Sequence, residues 1–238
     1  DNILPISTLS YQEFLVELAN SLKVNMLTLH KAFVAMHPQL NINLYLSRNT
    51  IRQIKSGFEQ FLLAHSFAKF SVCYQAVSNT VHPTYFTNAT GNPLAEVDAS
   101  RLGIKYSSTI PADNYLFADV FYDSDLEQEN MTTNIKGVTV FSKIPKNSIK
   151  IPVAGGSSYS PDFAYVVDYA NGSKRLNLVV ESKNKDDIAL STEEMQKIKH
   201  AEQLFSQSGQ DINIQFKKQL KQTSMLELIK DIIQQHSI

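Results

Sequence analysis

An Asn-Gly pair at positions 171 and 172 constrains the fold of this 238-residue chain more than any other feature. Asn-Gly between two apolar runs is the strongest short-range signal for a two-residue β-hairpin turn. Counting outward from that turn along both strands places Asp162 directly opposite Glu181. Facing residues on antiparallel strands have Cβ atoms about 4.5–5.5 Å apart, and Lys183 shares the face of Glu181 because strand side chains alternate. The sequence therefore predicts two carboxylates and a lysine on one patch.

Two carboxylates at that separation repel each other unless positive charge lies between them. A hard divalent cation is the usual partner, and Mg²⁺ typically takes one or two carboxylates and keeps water and phosphate as other ligands. Such an ion lowers the pKa of bound water and neutralises charge on a phosphoryl oxygen. A neighbouring lysine orients or deprotonates the attacking water, or stabilises the pentacovalent charge. The pattern therefore predicts metal-dependent hydrolysis of a phosphodiester.

Charges at the ends of strands are also often simply solvated, and the spacing alone leaves that alternative open. The runs 163–167 and 176–180 favour the cation site, because both are apolar on both faces. That pattern is expected for strands in the centre of a covered sheet. Charges at the ends of such strands are harder to leave unpaired.

The segments that surround this patch resemble the signature of the PD-(D/E)xK nucleases. They are YSPDFAYVV at 159–167 and LVVESK at 178–183. More narrowly, the chain is similar to the nuclease domain at the C-terminal end of type III restriction subunits. Three flanking stretches agree with that narrower family: 122–127, 141–145, and 194–198 leading to Phe205. The resemblance covers about residues 112–220 and implies a restriction-endonuclease-like α/β fold, a mixed sheet flanked by helices.

The resemblance also implies roles for individual residues. Asp162 and Glu181 would be metal ligands and Lys183 the catalytic lysine. Glu127 would be the acidic metal ligand on the preceding helix, with Glu129 as the alternative if the register differs. On a later helix, the face with Lys197, Lys199 and His200 is a candidate for contacts to DNA phosphates, and an ordinary solvated face is the alternative.

The activity implied is that of a type III site-specific deoxyribonuclease, with Mg²⁺ as cofactor and Mn²⁺ as a possible substitute. The implied partners are DNA, a separate DNA methyltransferase (modification) subunit that reads the target sequence, and an ATP-dependent motor in the same parent polypeptide. ATP would serve the parent enzyme only, because no GxxxxGK[ST] phosphate loop occurs in this chain. Two alternatives stay open: a catalytically silent nuclease-fold module for DNA binding or protein interaction, and a nuclease of this fold that acts on RNA or repair intermediates.

Helical and strand patterns predict two regions, a mainly helical linker or accessory domain over 1–110 and the endonuclease domain over 111–238. Helices are expected to begin at Ser10, at Ser47 or Asn49, and at Ser124 or Asp125, and to span 191–206 and 225–233. Strands are expected at 70–74, 116–121, 138–144, 149–153 and 212–216, in addition to the hairpin.

Composition limits the setting of the protein. The formal net charge is −1, and the acid excess lies in residues 111–173, which carry 8 Asp or Glu against 4 Lys or Arg. A weakly charged surface indicates that tight DNA binding depends on another part of a parent protein. The single Cys73, the absence of a long apolar span and the lack of a signal peptide predict a reducing compartment and no membrane contact, and the family resemblance implies the bacterial cytoplasm. Because the chain begins with Asp, we expect it to be a fragment of a longer protein.

Overall fold

The structure is a computed structural model that describes residues 8–37, 39–75, 85–168, 175–208 and 213–235. The chain packs as two compact units, Asp1–His65 and Ser66–Ile238. The limit between these units falls inside one long helix, whereas the sequence patterns place a domain boundary near residue 110. The functional division at residue 110 stays a prediction.

The first unit is helical, as the sequence predicts. It contains α1 (Tyr11–Leu22), α2 (Met26–Met36) and the start of α3 (Arg48–Lys69). Ser10 caps α1 through a capping box with Glu13, in which each side chain satisfies a free backbone N–H at the helix start. Ser47 opens α3, because its Oγ accepts the N–H of Thr50 at 3.2 Å. Both predicted helix starts are confirmed.

The second unit is a mixed α/β domain, which confirms the predicted fold class. Its strands are β1 (Lys105–Ser107), β2 (Val120–Tyr122), β3 (Val138–Lys143), β4 (Ile151–Pro152), β5 (Ser158–Tyr159), β6 (Phe163–Asp168), β7 (Arg175–Lys183) and β8 (Ile214–Leu220). Its further helices are α4 (Asp125–Thr132), α5 (Thr192–Ser208) and α6 (Met225–Gln235). The main sheet has the order β3-β6-β7-β8, and β1-β2 and β4-β5 form two small sheets.

The main sheet is covered on both faces by apolar side chains. Leu178 and Val180 of β7 pack with helices α4 and α6 in one core cluster. Val179, between them, packs in a second cluster with Ile198 and Ala201 of α5. Alternation along the strand therefore assigns even-numbered β7 residues to the α4 face and odd-numbered ones to the α5 face.

The register predicted from the Asn-Gly turn is confirmed along the paired strands. Phe163 pairs with Val180, and the pairing continues without a shift to Asp168 opposite Arg175. The turn itself, with Asn171 and Gly172, lies outside the described residues. β8 then joins β7 in parallel, so β6 and β7 are the two central strands of the sheet.

The strand predicted at 70–74 is wrong. Tyr74 does not pair with another strand in the described part of the chain. Its N–H donates to the side-chain Oε1 of Gln207 at 2.9 Å, and its hydroxyl donates to the carbonyl of Pro152 at 3.0 Å. These bonds to a helix side chain and to a carbonyl take the place of a strand ladder.

Within the described residues, no helix is both long and apolar enough to span a membrane.

Candidate active site

Asp162 is held at the entrance to β6 by main-chain bonds on both sides. Its carbonyl accepts the N–H of Ile144 at 2.7 Å, and its own N–H donates to the carbonyl of Val180 at 3.1 Å. The carboxylate Oδ2 accepts the N–H of Ser182 at 2.8 Å. One carboxylate oxygen thus fixes Asp162 against the end of β7, beside Glu181.

Glu181 and Lys183 project from the end of β7 toward the α5 face. Glu181 is only 5% exposed, and its Oε1 lies 2.7 Å from the Nζ of Lys183. The other oxygen, Oε2, is buried and has no hydrogen-bond partner among the described residues. Asp162 faces the same side, because Ala164, two residues on, packs in the α5 cluster. The structure therefore brings the three residues together as the turn geometry predicts.

Burial and neighbouring negative charge disfavour the ionised forms of Asp162 and Glu181. Burial raises the pKa of the Asp162 carboxyl well above its usual range, and the charges of Glu181 and Glu127 raise it further. Burial also raises the pKa of Glu181, with Lys183 opposing the shift and Glu127 adding to it. Burial lowers the pKa of Lys183, but the carboxylates of Glu181 and Asp162 outweigh that effect, so this pKa lies above its ordinary value. Lys183 therefore stays protonated.

These features fit a hard divalent cation. A buried carboxylate oxygen without a partner is a costly acceptor, and carboxylate oxygens are the ligands that Mg²⁺ prefers. Within the described ranges, no group of three or more His, Cys, Asp or Glu side chains stands in position to hold a metal ion. Asp162 and Glu181 are the two side chains that could hold such an ion, which would keep water and phosphate as its other ligands.

Glu127 occupies a different environment from the one implied by the family resemblance. Its Oε2 lies 2.5 Å from the Nζ of Lys143 and accepts the N–H of Asp123 at 2.8 Å. Lys143 is itself buried, and α4 covers the opposite face of the sheet from α5. Glu127 is close enough to raise the pKa of both other acids, whereas Glu129 is exposed. Glu127 is therefore the better third acid, and its role as a metal ligand stays a prediction.

The three residues predicted to contact DNA on α5 do not share one surface. Lys197 is half-buried near Glu181, whose pKa it lowers, and its Nζ also lies 2.5 Å from Glu193. Lys199 is exposed. His200 is only 2% exposed, so its predicted place on a phosphate-binding face is wrong. DNA contacts by the two lysines stay a prediction.

The ring of His200 is occupied inside the protein. Nδ1 lies 2.7 Å from the hydroxyl of Tyr74, and Nε2 lies 3.3 Å from the N–H of Ala154 and 3.2 Å from the Oγ of Ser66. Burial lowers its pKa, which keeps the imidazole neutral. Helix periodicity contained a signal for this position, because His200 lies four residues before Leu204 of the apolar face, and residues at that spacing are neighbours on a helix.

Two site neighbours were missed by sequence reasoning. Lys143 is the cation that pairs with Glu127, and Tyr159 has a buried hydroxyl without a partner among the described residues. Burial, followed by the charges of Glu181 and Asp162, raises the pKa of Tyr159. Both residues lie in segments that the family resemblance covers, but spacing along the chain gives neither of them a partner.

Comparison with known proteins relates the chain to restriction enzymes. Residues 113–223 match a family model described as an endonuclease domain. Residues 113–223 belong to that family. Over 236 residues, 98% of its length, the chain is 50% identical to the Res subunit of the type III restriction-modification enzyme EcoP15I from Escherichia coli. It is also 50% identical, over the same length, to the Res subunit of EcoPI from Escherichia phage P1.

The endonuclease-domain match covers the main sheet, the candidate site and α5. The chain spans 24% of the length of the two Res subunits, so the likeness concerns one part of those proteins. No solved structure matches the chain significantly. The predicted resemblance to the nuclease part of type III restriction subunits is confirmed.

Proposed function

We propose that this endonuclease domain hydrolyses DNA phosphodiester bonds with Mg²⁺ as its cofactor. The observation that carries the proposal is the juxtaposition of Asp162, Glu181 and Lys183 at one end of two central strands. The unpartnered, buried Oε2 of Glu181 gives that cluster an acceptor suited to a cation. Mn²⁺, which also accepts oxygen ligands, is expected to substitute.

Asp162 and Glu181 would hold the cation, with Glu127 contributing negative charge nearby. When bound, Mg²⁺ would lower the pKa of a coordinated water and neutralise charge on a phosphoryl oxygen. The Ser182 N–H keeps one oxygen of Asp162 fixed at 2.8 Å. This bond orients the carboxylate before the substrate arrives, which lowers the reorganisation needed during the reaction.

Lys183 would act as a protonated donor at the reacting phosphate. Its raised pKa makes the ammonium form dominant, so we assign it to orienting water and stabilising developing negative charge. The oxygen of a water molecule bonds to phosphorus as that water gives up one proton to the surrounding solvent, the bond from phosphorus to the leaving oxygen breaks, and the leaving oxygen takes one proton from the solvent. The carboxylates of Glu181 and Asp162 keep Lys183 protonated, and a protonated lysine does not abstract a proton from water.

For the whole protein, we infer the type III restriction reaction by extension from the two Res subunits. A motor outside this chain would use ATP, and a DNA methyltransferase subunit would read the target sequence. The setting would be the bacterial cytoplasm. The near-neutral net charge of −1 supports this division, because strong phosphate binding by this chain alone would require more cationic surface.

A crystallographic and kinetic experiment tests the proposal. Crystals soaked in Mn²⁺ should show metal density that bridges Asp162 and Glu181, and Asp162→Ala should abolish cleavage. Asp186→Ala is the matched control, because Asp186 is exposed and its side chain makes no capping bond. Metal density elsewhere, or cleavage at the wild-type rate by Asp162→Ala, contradicts the proposed cation site, whereas the absence of cleavage by the wild-type protein supports a silent module.

A further inference from the structure

A buried polar network lies on the face of β7 opposite the candidate site. It consists of Asn130 on α4, Ser182 on β7 and Gln219 on β8, which are 2%, 7% and 0% exposed. We call these three residues the amide network. Ser182 stands between Glu181 and Lys183 in sequence, and its side chain points to the α4 face because neighbouring strand residues alternate.

The network uses the full hydrogen-bonding capacity of the Gln219 side chain. Oε1 accepts from the Nδ2 of Asn130 at 2.6 Å and from the Oγ of Ser182 at 2.9 Å. Nε2 donates to the Oδ1 of Asn130 at 3.0 Å and to the carbonyl of Thr223 at 3.1 Å. A carboxamide has two lone pairs and two N–H donors, so each of the four is paired.

Such a network specifies one arrangement of the elements that it joins. A buried polar group that loses its partner destabilises the fold, and sliding or rotating one element would break several of these bonds at once. The register of the parallel pair already places Ser182 beside Gln219. The bonds of Asn130 attach helix α4 to that strand pair, a connection that main-chain hydrogen bonds within the sheet do not make.

Both ends of the network connect to the candidate site. The main-chain N–H of Ser182 donates to the carboxylate of Asp162, so the residue that binds Gln219 with its side chain binds Asp162 with its backbone. On α4, Asn130 follows Glu127 by three residues, and residues at that spacing lie on the same face of a helix. The position and rotation of α4 that allow Asn130 to bond Gln219 therefore also set the position of Glu127.

We propose that Asn130 and Gln219 are positioning residues of the cation site. They fix α4 and the end of β7 so that Asp162 and Glu181 meet at the separation that a divalent cation requires, with the charge of Glu127 held nearby. The inference deepens the proposed function and rests on it. Groups behind metal ligands commonly change metal affinity or activity by about 10–100-fold when they are mutated.

Calorimetric titration of the 238-residue chain with Mn²⁺ tests the inference without reference to cleavage. Gln219→Leu should weaken Mn²⁺ binding by about 10-fold or more, and Asn130→Ala should weaken it in the same direction. Leu228→Ala is the matched control. Leu228 lies on α6, in the apolar cluster that also contains Leu178 and Val180 of β7, and it makes no bond to the amide network. We expect the control to lower the melting temperature and to keep Mn²⁺ affinity within about twofold of wild type.

Glu181→Gln separates the two hypotheses in the same titration. If Glu181→Gln binds Mn²⁺ as wild type does, the proposed cation site is wrong. If Glu181→Gln loses binding while Gln219→Leu and Asn130→Ala keep wild-type affinity, only the positioning role is overturned. Should Gln219→Leu fail to fold, Asn130→Ala decides the question together with the pair Ser182→Ala and Ser182→Thr, since only Thr retains the hydroxyl and should restore affinity.

Discussion

Replacing Asp162 by Asn should stabilise the metal-free protein while it destroys the cation site. Asn has the shape of Asp and keeps an oxygen that accepts the N–H of Ser182, so the substitution removes charge with little change in contacts. Burial and the nearby Glu181 and Glu127 charges raise the pKa of Asp162 in the folded chain. The wild-type side chain therefore bears its charge at neutral pH only at a cost in folding free energy.

The size of that cost follows from the strand geometry. Facing strand residues have Cβ atoms about 4.5–5.5 Å apart, and two unit charges at about that separation repel by roughly 3 kcal/mol at an effective dielectric constant near 20. Lys183, 2.7 Å from Glu181, offsets part of this repulsion. A net gain of roughly 1–2 kcal/mol for Asp162→Asn corresponds to a rise of about 2–8 °C in melting temperature for a chain of this length.

The pH dependence gives the expected result a sign. The folded-state pKa of Asp162 lies above the unfolded value of about 3.9, so wild-type stability decreases as the pH rises from that value through the folded pKa. Asn carries no charge at either pH. The advantage of Asp162→Asn should therefore be largest at high pH and vanish near pH 4.

Thermal unfolding in EDTA, followed by circular dichroism between about pH 4 and pH 8, measures this difference. Glu129→Gln is the control, because it removes one negative charge from an exposed position and should change the melting temperature little at any pH. Added Mn²⁺ should stabilise the wild type and leave Asp162→Asn unchanged. A variant that is less stable than wild type at pH 8 in EDTA would refute the idea that the two acids repel in the folded state.

Three further predictions concern the neighbouring side chains. Lys143→Met should destabilise the fold by about 3–5 kcal/mol in urea unfolding, because it leaves the buried Glu127 carboxylate without its cationic partner. Adding Glu127→Gln should recover much of that loss. No recovery in the double variant would mean that the two side chains are not coupled. In the full-length protein, Lys183→Ala should abolish cleavage and spare DNA binding and ATP hydrolysis, and Lys183→Arg should not rescue it; cleavage at the wild-type rate by the alanine variant would make this lysine a surface charge. His200→Leu should lower the free energy of unfolding by about 1–3 kcal/mol and leave DNA affinity unchanged in filter binding. Lys199→Ala should reduce the salt dependence of DNA binding if the lysine contacts a phosphate.

The sequence predicts the parts of the fold whose causes are local. The hairpin register follows from one turn type and strict alternation, and the pairing of Phe163 with Val180 confirms it. The starts of α1, α3 and α4 follow from serine caps at Ser10, Ser47 and Ser124, each of which accepts a backbone N–H. These signals act within a few residues, so a single sequence contains them completely.

What the sequence does not predict depends on contacts between distant segments. The 70–74 alternation looks like a strand, but Tyr74 finds its partners on α5 and β4 rather than on a neighbouring strand. His200 carries a polar side chain on a helix whose other polar residues are mostly exposed, and it is buried by contacts with residues distant in sequence, among them Tyr74, Ala154 and Ser66. The Lys143–Glu127 pair likewise joins a strand to a helix, between residues 16 positions apart in the sequence.

The alternation of β7 limits how the length of this protein can change during evolution. Glu181 and Lys183 reach the site because an even number of steps separates them from Val179, which packs under α5. Loss or gain of one residue inside β7 would turn both charges into the apolar cluster under α4 and bring Ser182 to the site. Changes of length in the turn between β6 and β7 leave that alternation intact, provided that the strand pairs keep their register. Insertions among related chains should therefore collect between the strands, and the run from Leu178 to Lys183 should keep its length even where its apolar residues vary.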